Sequence, residues 1–352
     1  MLNIKLYNCG IKGNSEFPLG LGYLKTNCQA NIKIVSNKTE LINCDLIGLS
    51  TSANGIAETI EILNNTCIPV IVGGEGTLWE GLNNYSFKHI IIGEGENALN
   101  KIINGTSEKI IREELIENLD GLNFPARGIC GSTVPIVTSR GCPFKCAFCS
   151  VHPFWKDTYR LVSSKYFIDE IKYILKTYPL AKTIYLVDDL FIFCKNRFNE
   201  IFEKWMEKKF NDKLSLRGFI RADTLTLEVA KKMKLMGFKK VEVGIESGSD
   251  RILKLINKKT TVTTNQQVID IANEAGLTIM GSFIYEIPGE TKEDFNLTLQ
   301  FIEKNKNKLI VHAWNKFIPL PGTELYKGQS PLNTDMCFVA RAQKHCIEKN
   351  KS

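Results

Sequence analysis

The feature that most restricts the fold of this chain is an alternation of short apolar runs with helical patterns, which occurs in two series. Strands separated by helices lie parallel in one sheet, because each helix returns the chain to the edge where the strand began. The first series predicts strands at 4–7, 32–35, 46–50, 70–72 and 90–92, and helices at 21–28, 57–64 and 97–103. We therefore expect an α/β protein that begins with a Rossmann-like, doubly wound parallel sheet over residues 1–111.

The second series follows a stretch, 112–133, in which glycine and proline interrupt any periodicity and which we interpret as a linker. It predicts strands at 134–138, 183–187, 215–220, 240–243, 278–284 and 309–317, and helices at 164–178, 197–209, 227–236, 265–275 and 292–305. Six strand–helix units predict a partial (β/α)6 barrel over residues 134–320, and residues 321–352 form a tail that we expect to cap it. Sites in such barrels lie at the carboxyl ends of the strands.

The composition of the chain bears on its number of domains, its partners and its location. A chain of 352 residues allows about two domains. The net charge of +7 comes from scattered basic residues, and runs such as Lys258-Lys259 are interpreted as solvated helix faces. Without a basic stripe interleaved with aromatic residues, we expect no nucleic-acid partner. No apolar run reaches membrane-spanning length and no export signal is present, so eleven cysteines indicate a reducing, cytoplasmic location.

Three of the cysteines, Cys142, Cys146 and Cys149, lie within eight residues in a Cys-x3-Cys-x2-Cys arrangement directly after an apolar strand. Three thiolates at this spacing are suited to three corners of a four-iron cluster, which leaves one iron without a protein ligand. The alternative is a Cys3His zinc site closed by His152, although no second Cys-x-x-Cys pair supports it. The triplet therefore predicts a metal centre with an open coordination position.

Polar residues follow the next two strands of the second series. Asp188 and Asp189 could orient an amine by charge-assisted hydrogen bonds, or could cap a helix. Arg221 could bind a carboxylate in a bidentate manner, or could be a surface residue paired with Asp223. After the fourth strand, Glu246 and Ser247 lie between two glycines, a pattern suited to a ribose diol.

The cysteine triplet resembles the signature of the radical S-adenosylmethionine (radical SAM) enzymes, and the later motifs follow in that family's order. The resemblance implies that Cys142, Cys146 and Cys149 hold a [4Fe-4S] cluster whose open iron binds S-adenosylmethionine. It also implies that Asp188, Asp189, Arg221, Glu246 and Ser247 contact that cofactor. The backbone near Phe148 and Ser282 would face its adenine. Reduction by the cluster would yield a 5′-deoxyadenosyl radical, and such chemistry suits an anaerobic niche.

The first domain is similar to the cobalamin-binding domain that precedes many radical SAM cores. The similarity lies in the loops after its strands, whose candidate cobalamin contacts are Ser50, Thr51, Ser52, Gly73, Gly74, Gly93, Glu94 and Gly95. The Asp-x-His-x-x-Gly motif for an axial histidine is absent, as it commonly is in this group, so no cobalt ligand can be named. The alternative is an inherited Rossmann-like layer that binds nothing.

Together these resemblances imply a cobalamin-dependent methyltransferase that acts on an unactivated carbon. The alternatives are another radical SAM reaction such as rearrangement, cyclisation or oxidation, a methylthiotransferase with a second cluster on Cys9, Cys44 and Cys67, or a structural cluster without catalysis. The expected partners are a small-molecule or peptide substrate and an electron donor such as flavodoxin or ferredoxin. The substrate itself is not encoded in any motif.

Overall fold

The computed structural model describes residues 1–10, 18–128 and 130–328 of the chain. The chain contacts divide it into two compact units. The first comprises Met1–Cys130, Ser150–Arg160 and the segment that begins at Pro319. The second comprises Gly131–Cys149 and Leu161–Ile318 within the described residues. The domain limits predicted from the sequence stay predictions, and most of the predicted capping tail lies outside the described residues.

The first unit contains a six-stranded, entirely parallel sheet. Its strands are β1 (Asn3–Asn8), β2 (Asn31–Ile34), β3 (Leu46–Ser50), β4 (Val70–Gly73), β5 (His89–Ile91) and β6 (Ile110–Ile111). They lie in the order β2-β1-β3-β4-β5-β6, so the direction of winding reverses between β1 and β3. In open α/β sheets, ligands bind beyond the carboxyl ends of the strands at such a reversal.

Helices cover both faces of this sheet, which explains the continuous apolar strands. The helices of the first unit are α1 (Leu19–Asn27), α2 (Ile56–Asn65), α3 (Gly95–Ile103) and the short α4 (Val151–Phe154). Because successive side chains of a strand point to opposite faces, Val70 and Val72 pack in one core with Ile62 of α2. Ile71 packs in the other core with Leu99 of α3.

The second unit contains a second six-stranded parallel sheet. The remaining strands of the chain are β7 (Thr133–Ile136), β8 (Ser139–Gly141), β9 (Tyr159–Leu161), β10 (Thr183–Leu186), β11 (Ser215–Ile220), β12 (Lys240–Glu246), β13 (Thr278–Tyr285) and β14 (Leu309–Lys316). The sheet has the order β14-β13-β12-β11-β10-β7, in which each strand lies beside the next one in the sequence. Its edges β7 and β14 are not paired with each other in the described chain, as a partial barrel requires.

Helices connect the strands of this second sheet. They are α5 (Ser164–Thr177), α6 (Lys195–Glu207), α7 (Leu227–Met236), α8 (Asp250–Leu255), α9 (Val262–Glu274) and α10 (Lys292–Asn305). The α/β fold with parallel sheets expected from the sequence is confirmed. The sequence patterns missed α8, because six residues are too few to establish a helical period. Among the described residues, no helix is both long enough and apolar enough to cross a bilayer.

Candidate functional site

The three cysteines of the triplet lie on a loop that begins at the end of β8, near the carboxyl end of β7. Cys146 is buried, whereas Cys142 and Cys149 are partly exposed, and all three are free thiols. Gly141, directly before Cys142, has a φ of 88°, a left-handed conformation that favours glycine. Burial raises the pKa of the Cys142 thiol, and the positive charge of Arg221 opposes that shift.

The segment after α8 holds the cysteine loop through its backbone. The carbonyl of Ile256 accepts a hydrogen bond from the Ala147 N–H at 2.8 Å. The side-chain amide of Asn257 donates to the carbonyl of Lys145 at 2.7 Å. Asn257 and Lys259 have φ values of 52° and 61°, which cost free energy in residues other than glycine. Such strain persists where surrounding contacts enforce it, and it is concentrated at functional sites.

Arg221 follows β11 and is buried beside the cysteine loop. Its guanidinium binds the Asp223 carboxylate through two hydrogen bonds of 2.9 and 3.0 Å. It also donates to the Lys258 carbonyl at 2.7 Å and lies 3.7 Å from the sulfur of Cys146. The guanidinium carbon is 3.5 Å from the centre of the Phe144 ring, a cation–π distance. The bidentate partner of Arg221 is therefore Asp223, as one of the two alternatives predicted. Arg221 is nevertheless buried, not a surface residue, and it contacts Cys146.

Glu246 ends β12 in a left-handed conformation, with a φ of 63°, where the register with β13 is irregular. Its Oε1 accepts a hydrogen bond from the ammonium of Lys258 at 2.7 Å, and both side chains are buried. Burial acts to lower the pKa of Lys258, but the charges of Glu246 and Cys146 outweigh it, so the pKa lies above its usual range. The interpretation of Lys258 as part of a solvated helix face was wrong, because it lies after α8 and its partner is on β12.

The loop that follows Glu246 is fixed by α10. Thr298 places its hydroxyl 3.1 Å from the hydroxyl of Ser247 and accepts the Gly248 N–H at 2.9 Å. Ser249 donates to a carboxylate oxygen of Asp294 at 2.6 Å. Ser247 is fully buried in this network. The structure thus gives Ser247 a part in holding the loop, and its contact with a ribose stays a prediction.

Asp188 and Asp189 follow β10 and reach the start of the cysteine loop. Asp188 is buried, and its two carboxylate oxygens accept bonds from the Thr138 N–H and hydroxyl and from the Ser139 N–H, the last at 2.9 Å. Asp189 accepts the Gly141 N–H at 3.2 Å. The next helix begins at Lys195, so neither residue caps it. Both acids therefore hold the backbone that leads to Cys142, and a contact with a cofactor amine stays a prediction.

Phe148 and Ser282 lie beside this network. The Lys258 ammonium is 5.7 Å from the centre of the Phe148 ring. Ser282 on β13 is paired in register with Gly244 on β12, two residues before Glu246. Both residues are partly buried. Their positions place them in the same unit as the cysteine loop, and their role toward adenine stays a prediction.

The three cysteines stay candidate ligands of a four-iron cluster. In the part of the chain that the structure describes, no three His, Cys, Asp or Glu side chains converge as a single-ion site would require. A four-iron cluster distributes its ligands over separate irons, so its three cysteines need not converge on one point. His152, the candidate fourth zinc ligand, lies with Nδ1 3.3 Å from the Asp157 carboxylate.

In the first unit, the loops after β3 and β4 pack against each other. The Gly76 N–H donates to the Thr51 carbonyl at 2.8 Å. A Cβ on Gly74, whose φ is 92°, would lie 2.6 Å from that carbonyl oxygen, and one on Gly76 would lie 3.0 Å from the Ser52 carbonyl oxygen. These two glycines therefore admit the neighbouring loop, and a ligand contact at Gly74 stays a prediction.

Gly73 and Gly93 differ from those two glycines. A Cβ on Gly73 would have its nearest neighbour at 3.9 Å, and one on Gly93 would meet no heavy atom within 4 Å. A Cβ on Gly95 would meet Leu24 of α1 at 2.9 Å. The backbone at Gly73 and Gly93 thus has room for at least a methyl group, and a ligand contact there stays a prediction.

Glu94 has a role that its sequence position did not predict. Its carboxylate lies 2.8 Å from the Arg160 guanidinium and accepts the Ile116 N–H at 2.6 Å. Both side chains of the Glu94–Arg160 pair are mostly buried. The carboxylate is therefore engaged within the protein. The one histidine before the triplet, His89, lies at the amino end of β5, the edge opposite to these loops.

Comparisons with known proteins agree with this arrangement. Residues 136–302 match the family model described as the radical SAM superfamily. An uncharacterized methyltransferase of Pyrococcus horikoshii is 31% identical over 74% of this chain, and a putative methylthiotransferase of Methanocaldococcus jannaschii is 32% identical over 69% of it. The chain spans 58% of the length of each of these two relatives.

Solved structures share the fold. The radical SAM methyltransferase TsrM from Kitasatospora setae superposes over 92% of this chain and 75% of its own, with a TM-score of 0.73 and 14% identity. The cobalamin-dependent radical enzyme OxsB superposes over 99% of this chain and 56% of its own, with a TM-score of 0.66 and 19% identity. The family match over residues 136–302, together with the cysteine loop and the barrel strands, shows that this chain contains a domain of the radical SAM superfamily.

Proposed function

We propose that Cys142, Cys146 and Cys149 bind a [4Fe-4S] cluster and that the protein cleaves S-adenosylmethionine reductively. The observation that carries the proposal is the placement of the three thiols on one loop that is held by strand-end residues of the barrel. When bound, the cluster supplies the electron for that cleavage. The chain's own groups orient the cofactors.

The Lys258–Glu246 pair supports a binding site for the rest of S-adenosylmethionine. A buried carboxylate in a strained conformation at a strand end suits hydrogen bonds from a ribose diol. Lys258 fixes one of its oxygens at 2.7 Å and so orients the other. Arg221, Asp188 and Asp189 hold the backbone and sulfur positions around the cysteine loop.

Anaerobic reconstitution followed by iron analysis tests this proposal. We expect about four irons per chain and formation of 5′-deoxyadenosine from S-adenosylmethionine under a strong reductant. Cys146→Ala should abolish both, whereas Cys194→Ala, at an exposed cysteine on the same unit, should change neither. Retention of the full iron content by Cys146→Ala would contradict the assignment of Cys146 as a ligand.

We further propose that the first unit binds cobalamin and that the reaction is methylation of an unactivated carbon. The support is the likeness in fold to TsrM and OxsB, whose structures are described as containing cobalamin. The end of β3 and the open positions at Gly73 and Gly93 would hold it. A visible absorbance titration with micromolar cobalamin tests this, and absence of binding would favour a rearrangement, cyclisation or oxidation on a first unit that binds no cofactor.

A methylthiotransferase is the second candidate, because a putative one is among the relatives. It would need a second cluster on cysteines of the first unit. Cys9 follows the carboxyl end of β1, whereas Cys44 and Cys67 precede the amino ends of β3 and β4. These are opposite edges of a parallel sheet, about 16 Å apart for a five-residue strand. About eight irons per chain instead of about four would nevertheless indicate the second cluster that this function requires.

The remaining assignments concern partners and place. We propose a small molecule or a peptide as substrate, flavodoxin or ferredoxin as electron donor, and the cytoplasm of an anaerobic cell as location. The reducing compartment follows from eleven cysteines, of which those that the structure describes are free. Reduction of the reconstituted protein by flavodoxin, followed by electron paramagnetic resonance, tests the donor.

A further inference from the structure

Arg221 makes an unusual set of contacts for a residue at a strand end. It is 6% exposed, and one guanidinium nitrogen lies 3.7 Å from the sulfur of Cys146, within hydrogen-bond range for sulfur. The other contacts, to the Asp223 carboxylate, the Lys258 carbonyl and the Phe144 ring, fix the plane and the direction of the group. The nitrogen that faces Cys146 is therefore held in place.

A fixed cation at a cluster sulfur affects reduction of the cluster. When the cluster accepts an electron, its negative charge increases, and that charge is shared with the thiolate sulfurs. Hydrogen bonds to these sulfurs and nearby positive charge stabilise the reduced form more than the oxidised form, so they raise the reduction potential. Burial strengthens the effect, because less water screens the interaction.

The charge of Arg221 is retained in this environment. A guanidinium stays protonated in proteins, and the Asp223 carboxylate, bonded to it at 2.9 and 3.0 Å, favours the charged form. Asp223 is less buried than Arg221, with side-chain exposures of 28% and 7%. Water therefore screens the carboxylate more than the guanidinium, and positive charge is left on the side that faces the sulfur.

We propose that Arg221 is a positioning residue that raises the reduction potential of the cluster through Cys146. The proposal rests on the proposed function, since it requires a cluster on the three cysteines. In the reduction step, a reductant such as dithionite donates one electron to the cluster, and the total charge of the cluster core falls by one unit. No bond forms or breaks in that step.

The test compares the reconstituted wild-type and variant chains of 352 residues by potentiometric titration monitored by electron paramagnetic resonance. We expect Arg221→Gln to make the cluster at least tenfold harder to reduce at a fixed potential, which is a downward shift of about 59 mV for one electron. The matched control is Arg217→Gln, which removes an arginine four residues earlier on β11, about 13 Å along the strand. Arg217 binds Glu242 at 2.9 Å, and its variant should keep the wild-type potential.

Arg221→Lys provides a second measurement in case the glutamine variant loses the cluster. Lysine keeps a positive charge but cannot bond Asp223, the Lys258 carbonyl and the sulfur at once. We expect a smaller downward shift with full iron content.

An unchanged potential in a cluster-loaded Arg221 variant would overturn the proposal, and so would equal shifts in the Arg221→Gln and Arg217→Gln proteins. Failure of the wild-type protein to bind iron would instead overturn the proposed function. The two failures are therefore distinguishable.

Discussion

The ammonium nitrogen of Lys258 lies 2.7 Å from Oε1 of Glu246, and the two side chains are only 8% and 9% exposed. Removal of one partner from a buried ion pair leaves the other charge without compensation, which costs roughly 3–5 kcal/mol. We expect Lys258→Met to lower the free energy of unfolding by an amount of this order. The control is Lys259→Met at the exposed neighbouring residue, which should have little effect in the same denaturant titration.

The double variant Lys258→Met/Glu246→Gln separates stability from cofactor binding. It removes both charges, so we expect most of the lost stability to return. Affinity for S-adenosylmethionine, measured by calorimetry, should stay low because the oriented carboxylate is absent. Wild-type affinity in the double variant would contradict the role proposed for Glu246.

The carboxylate of Asp188 holds the backbone before the cysteine loop, and we expect Asp188→Asn to loosen that loop. One oxygen of Asp188 accepts the Thr138 and Ser139 N–H groups, and the other accepts the Thr138 hydroxyl. The amide keeps one acceptor but places an N–H donor at the position of the other oxygen, and a hydrogen bond to a charged group contributes about 1.5–3 kcal/mol. Cluster loss to a chelator should be faster in this variant. Asp212→Asn, at an exposed acid of the same unit, serves as the control, and equal rates of loss would refute the role.

Asp294 predicts a pH dependence. It forms a capping box with Thr291 at the start of α10 and binds Arg251 and Ser249. The Arg251 guanidinium, ahead of the opposing effect of burial, holds the pKa of Asp294 well below its usual range. A lowered pKa means that the stabilisation is fully present above the unfolded-state value of about 3.9 and is lost progressively as the pH falls from there through the lower pKa of the folded state.

We therefore expect Asp294→Asn to lower stability by roughly 1.5–3 kcal/mol at neutral pH, with the gap to wild type narrowing as the pH falls below about 3.9. Chemical unfolding from pH 7 to pH 3 measures this. The matched variant Asp270→Asn, at a more exposed ion pair with Lys308, should cost less. A gap that persists unchanged in acid would show that Asp294 does not act through its charge.

Alanine substitutions at Gly73 and Gly76 together test the proposal that the first unit binds cobalamin. Alanine at Gly73 meets its nearest neighbour at 3.9 Å, so we expect a normally stable protein whose cobalamin affinity falls at least about tenfold. Alanine at Gly76 would lie 2.9 Å from Thr51 Cγ2, and such crowding costs about 1–3 kcal/mol. Unfolding and absorbance titrations distinguish the two, and unchanged cobalamin affinity in Gly73→Ala would place the ligand elsewhere.

The strands and most of the helices could be predicted because parallel strands buried on both faces leave long apolar runs in the sequence. The contacts of individual polar residues could not be predicted from the sequence. The run Lys258-Lys259 predicts a solvated helix face, whereas Lys258 is buried and pairs with Glu246, twelve residues earlier on β12. Local patterns carry no information about such a pairing.

Glu94 and Asp188 illustrate the same limit. The sequence placed both at strand ends, where the structure also has them. Whether a carboxylate there meets a ligand or the protein depends on Arg160, Thr138 and Ser139, which lie about fifty residues or more away in the chain. The asparagine at position 257 is a partial signal of the left-handed backbone there, because asparagine tolerates that region. Lys259 gives no such signal, because lysine rarely adopts that conformation.

The contacts that Ile256 and Asn257 make with the cysteine loop join distant parts of the chain. Asn257 and its partner Lys145 are 112 residues apart in the sequence. The strands β10 to β12 and the helices between them must therefore be folded before these hydrogen bonds can form. The conformation of the cysteine loop is thus a property of the whole second unit, and a peptide that contains the three cysteines alone would not keep it.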